Sequence, residues 1–133
     1  EEQNRRSIYV HLKRSLLYPM LADFDFADID ASCPVRFTTT QPSQALNLLN
    51  SAYVNARAKM LLKRVEGEAA SEPESHLVRA FELVLGREPT VEEIAMSHAF
   101  LDELRANEGL GPQRAMERYC LLVLNLNEFL FVD

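Results

Sequence analysis

Four carboxylates crowd into residues 23–30, at Asp23, Asp25, Asp28 and Asp30, interleaved with Phe24, Phe26 and Ile29. Carboxylates at this density suit two kinds of chemistry. Hard oxygen ligands hold Ca²⁺, and two acids held roughly 5–9.5 Å apart across a cleft work on a glycosidic bond as acid and base or nucleophile. The spacing departs from the helix–loop–helix calcium loop, because Ala27 stands at the third ligand position and the turn glycine is missing. A solvated acidic loop that caps helix N-termini accounts for the same residues. No metal site is therefore assigned, and the four aspartates stand as the alternative ligand set. The calcium reading predicts a melting temperature that falls under excess chelator.

A second polar group gathers around residues 36–50. Arg36, Thr38, Thr39, Gln44 and Asn50 lie about the entrance of a helix, where backbone N–H groups and a cation can hold an anion. Helix capping by the threonines is the competing account. Other constellations are missing from the sequence. There is no CxxCH haem attachment, Gly-rich phosphate loop, GxSxG elbow or HExxH. His11, His76 and His98 stand apart, and Cys33, just before Pro34, has no obvious activating dipole. Cys33 and Cys120 are too few for a disulfide framework. They read as two buried thiols, or as a pair in an oxidising compartment.

The elements that must position these groups read as helices. Residues 38–65 form the longest candidate, opened by three threonines and Gln41-Pro42. Ala45, Leu49, Ala52, Ala56 and Met60 recur at three- and four-residue spacing, widened by Leu46 and Tyr53. This stripe is expected to face the core, and Gly67 to stop the helix. Upstream, Asn4 caps a first helix with Ile8, Leu12 and Leu16 on one side, ended or kinked by Pro19. Downstream, Ser71-Glu72-Pro73-Glu74 and Thr90-Val91-Glu92-Glu93 are capping-box patterns that start two helices of a hairpin. The last helix follows Pro112 and presents Ala115, Met116, Tyr119, Cys120, Val123 and Leu126 on one broad side. Phe129 and Phe131 are expected to be buried, against the central helix or as an interface to a domain outside this chain. The fold class expected is all-α. About five helices pack as one domain over residues 1–133, with an internal break near 67–72.

Composition bounds the function. The 133 residues carry net charge −6, split as +2 over residues 1–66 and −8 over residues 67–133. An acidic second half speaks against nucleic acid as a partner, and no apolar run approaches the ~18 residues of a membrane helix. The opening Glu-Glu-Gln-Asn-Arg-Arg reads as the start of a piece of something longer.

Three runs carry a resemblance: residues 5–54 (RRSIYVHLKRSLLYPMLADFDFADIDASCPVRFTTTQPSQALNLLNSAYV), LGREPTVEE and LNLNEFLFVD. Together they resemble the C-terminal PSD domain of unknown function of large planctomycete proteins, many of which carry a cytochrome-c-like domain upstream. The resemblance implies an exported protein, periplasmic or at the cell surface, with haem c on another domain and no cofactor here. In that setting a Cys33–Cys120 disulfide gains weight. It supplies no catalytic residue. The expected function is a non-catalytic helical module that docks on the upstream domains of the same protein. The alternative is part of an enzyme acting on an envelope polymer such as a polysaccharide, through the acidic residues 23–30 with Arg36.

Overall fold

The computed structural model describes residues 7–9, 11–13, 19–24, 26, 42–70 and 72–131. Among them lie a 3-10 turn (Ser7–Tyr9) and helices α1 (Pro19–Asp23), α2 (Pro42–Asn50), α3 (Ala52–Glu68), α4 (Pro73–Leu85), α5 (Val91–Glu108), α6 (Pro112–Val123) and α7 (Asn127–Leu130). No helix among the described residues is long and apolar enough to cross a membrane. Prolines begin α1, α2, α4 and α6, where a missing N–H costs nothing. The fold class is all-α, as the helical periods imply.

The chain divides into two compact units, residues 1–47 and 48–133. The α3–α4 connection lies inside the second unit. In the first unit, His11 and Leu12 are not helical, so the expected first helix does not run through them. The residues around them, Ile8, Tyr9, Val10 and His11, are β-branched or aromatic and have little helical preference, and Ile8 stays 82% exposed. Pro19 is the first residue of α1.

The expected long central helix is two helices. Ser51 is extended (φ −61°, ψ 123°) and separates α2 from α3. Asn and Ser compete with helical hydrogen bonding through their own side chains, and three of them cluster here. Asn55 Nδ2 donates to the Leu49 and Ser51 carbonyls, 3.0 Å each, and so satisfies groups the break exposes. Helix α3 then runs through Gly67 to Glu68 instead of stopping at the glycine.

The buried face of α3 also differs from the expected one. Ala58, Leu62 and Val65 are buried, with Val54 and Leu61 packed beside them. Ala45, Leu49, Ala52, Ala56 and Met60 are exposed. The buried face is the one that packs on α6 and α4.

The core of the second unit is organised around α6, which packs on α3, α4 and α5, while α4 also meets α3, α5 and α7. Ala115, Met116, Tyr119, Cys120, Leu121 and Val123 are buried along α6. They meet Leu77, Ala80 and Phe81 of α4 and Leu101 and Leu104 of α5 in the same cluster. Hence six of twelve α6 residues are buried and α6, not α3, is the central element.

Candidate functional site

In the first unit the acidic residues are seen only at their start. Asp23 ends α1, and its carboxylate accepts a hydrogen bond from Asn47 Nδ2. Gln44 is buried, and its Nε2 donates to the Asp23 backbone carbonyl at 2.8 Å. This contact ties the end of α1 to α2. Asn50 is exposed at the other end of α2, about 9 Å along the axis and on a different face. Gln44 and Asn50 are therefore not brought together. Arg36, Thr38, Thr39, Asp25, Asp28 and Asp30 lie outside the described residues. Among the described residues no three His, Cys, Asp or Glu side chains converge as a metal site would require.

Cys120 is a free thiol, wholly buried in the second unit. Burial pushes its pKa up to about 12, and Glu66 and Glu117 act in the same direction. The other end of the possible bridge, Cys33, lies outside the described residues. Next to Cys120, Tyr119 threads a polar strand through the apolar core. Ser97 Oγ donates to the Glu93 carbonyl (2.7 Å) and lies 3.2 Å from the Tyr119 hydroxyl, which is 3.4 Å from the Leu77 carbonyl. Desolvation raises the Tyr119 pKa. The string leaves these buried polar atoms bonded, as an interior requires.

Among the described residues, the most elaborate polar assembly centres on Arg87. Gly86 ends α4 in the left-handed region (φ 72°), which lets the chain reverse and aim Arg87 back over α4. The guanidinium lies 5.0 Å from the centre of the Phe81 ring. It grips Glu128 with two bonds of 2.7 Å and Glu93 with bonds of 2.8 and 3.0 Å, and reaches the Glu88 carbonyl at 3.2 Å. An arginine has five N–H donors, and these bonds occupy all of them. Glu93 also completes the capping box expected at Thr90: Thr90 N–H donates to its carboxylate (2.7 Å), and its own N–H donates to Thr90 Oγ1 (3.2 Å).

The electrostatics follow from that geometry. Arg87, then Thr90 N–H, holds the Glu93 carboxyl down to about 2. Arg87 likewise lowers the Glu128 pKa, and Glu128 and Glu93 raise that of Arg87. One cation faces two carboxylates with every donor engaged, so the cluster offers nothing to an incoming anion. Its work is mechanical. It joins the C-terminal turn of α4, the N-terminus of α5 and α7.

That clamp fixes the segment bearing Phe129 and Phe131. Within this chain they are 44% and 48% exposed, so the expected burial against the central helix does not occur, and the expected interface to a domain outside the chain is the alternative left standing. The turn-plus-capping-box run LGREPTVEE signals its own local structure, but the partner Glu128 is 41 residues from Arg87 and has no local signal. A last polar feature is a surface depression of about 420 Å³ lined by Ala69, Glu72, Glu74, Ser75, Val78, Arg79 and Glu82. Its cation is already spent, since Arg79 pairs with Glu68 (2.7 Å) and Glu82 (2.9 Å).

Comparison with known proteins adds one relationship. No curated protein and no solved structure matches the chain. A family match covers residues 1–101, which include two of the three runs that carried the resemblance; the third, LNLNEFLFVD, lies beyond the matched residues. The chain belongs to the PSD1 family, described as a protein of unknown function (DUF1553).

Proposed function

We propose that this chain is a non-catalytic helical docking module of a multidomain exported protein, and that it seats against the domains preceding it in the same polypeptide. The observation that carries this reading is the clamped segment at α7. A four-residue helix has no stability of its own, and here a bidentate ion pair to Arg87 holds it in place. Two phenylalanines on or beside it nevertheless stay about half in water. Fixing apolar side chains at a surface suits an interface that waits for an apolar counterpart. The resemblance to the PSD domain of large planctomycete proteins, many of which carry a cytochrome-c-like domain, supports a setting in the periplasm or at the cell surface with haem c on another domain.

The test is reconstitution with the preceding domains of the same polypeptide, produced separately and read by chromatography with light scattering. A one-to-one complex is expected. Phe129→Ala with Phe131→Ala is expected to weaken it at least tenfold, as loss of buried aromatic anchors does, with Tm unchanged. A chain that stays monomeric in the mixture, or binds equally well without the two rings, would overturn the reading.

A further inference from the structure

Helix α3 carries a second apolar stripe that the core does not use. Tyr53, Ala56 and Met60 follow at three- and four-residue spacing and therefore share a face. That face lies opposite the buried Ala58, Leu62 and Val65. Tyr53 is 43% and Met60 55% exposed, and Ala56 is exposed between them. The stripe rises about 10 Å, two turns of helix, with a small residue between two large ones. This shape is a hole for a side chain of another helix.

The charges beside the stripe are all positive over these turns. Lys59 and Lys63, four residues apart, line one flank and are exposed. Arg57 and Arg64 line the other. The Arg57 guanidinium lies 4.9 Å from the centre of the Tyr53 ring and steadies it, while Arg64 pairs with Glu68 at 2.7 Å. Lys59 and Lys63 are thus the cations best placed to meet a partner. Residues 67–133, by contrast, carry net −8.

We propose that this face binds an acidic amphipathic helix of a partner protein. Its apolar ridge seats over Ala56 between Tyr53 and Met60, and its carboxylates meet Lys59 and Lys63. Charge complementarity selects the partner. Duplex nucleic acid fits poorly, since affinity for a phosphate backbone grows with the number of phosphates neutralised and the chain is acidic overall. An anionic bilayer fits poorly too. Interfacial helices bury a broad apolar face, and this stripe offers two large side chains. The face is separate from the Phe129 and Phe131 segment, because α7 packs on α4 and this stripe points away from the core.

The probe is a fluorescent synthetic helical peptide of about 20 residues, with leucine at the a and d positions and glutamate at e and g, titrated against the whole chain. Binding is expected, and it should weaken at least tenfold between about 50 and about 500 mM salt. Lys59→Glu with Lys63→Glu should cost tenfold or more. Ala56→Leu, which fills the hole, should do the same. Both sets of positions are exposed, so Tm should hold, and Phe129→Ala with Phe131→Ala should leave peptide binding untouched. Absence of binding overturns the proposal. So does binding that survives Lys59→Glu with Lys63→Glu, or tighter binding of a lysine version of the peptide, of duplex DNA or of anionic vesicles. Loss of peptide binding with the Phe variants would instead place the peptide on the α7 segment and also overturn it.

Discussion

Arg87 concentrates more of this molecule's specific geometry than any other side chain described. Its two carboxylate partners have pKa values below the usual range, Glu93 at about 2 and Glu128 in the same direction. A depressed carboxyl contributes stability that is present above its unfolded pKa, near 4.5, and is lost as pH falls toward the folded value. Replacing Arg87 by methionine should therefore lower Tm at neutral pH. The gap between wild type and Arg87→Met should close as pH falls from about 4.5 to about 2. Thermal melts across that range by circular dichroism check this, and a gap that does not change with pH would rule out the ion pairs as its source. The Thr90–Glu93 half of the cluster was legible, since a capping box is a four-residue pattern. The Glu128 half was not, because an ion pair across 41 residues exists only after α4 and α7 have met.

At the scale of elements, two glycines on helices have opposite meanings. Gly109 ends α5 with φ 62°, and Leu110 N–H reaches back to the Leu104 carbonyl at 3.4 Å. A side chain there is strained by the backbone alone, so Gly109→Ala should cost about 1 kcal/mol. Gly67 lies inside α3 with open space where a Cβ would be. Gly67→Ala should stabilise by up to about 1 kcal/mol through reduced chain entropy. Urea denaturation of both variants decides it, and two changes of the same sign would contradict the assignment of Gly67 to helix interior. From the sequence, Gly67 reads as a stop. Nothing local distinguishes a glycine that ends a helix from one that the core carries through, and burial of Val65 just before Gly67 holds the last turn of α3 down.

At the scale of the molecule, every described residue of the hydrophobic core cluster falls in residues 54–126, within the second unit. Residues 48–133 alone should therefore fold with one cooperative transition. Leu77→Ala, at a position 1% exposed, should lower its stability by about 2–5 kcal/mol. Differential scanning calorimetry of the truncated chain gives the answer, and a broad non-cooperative melt would show that the core needs residues 1–47.

The sequence by itself determined the all-α class, the helices that start at Pro73, Val91 and Pro112, the capping box at Thr90 and the buried side of α6. Each of these rests on interactions within a few residues, or on a single dominant apolar stripe. Tertiary structure decided the rest. Residues 52–65 carry apolar side chains on two faces, and packing against α6 and α4 decided that Ala58, Leu62 and Val65 are buried while Tyr53, Ala56 and Met60 stay exposed. The break at Ser51 was decided by a balance between helix continuation and side-chain bonding by Asn55. The exposure of Phe129 and Phe131 was decided by Arg87, since where a short segment settles depends on what grips it rather than on its own composition.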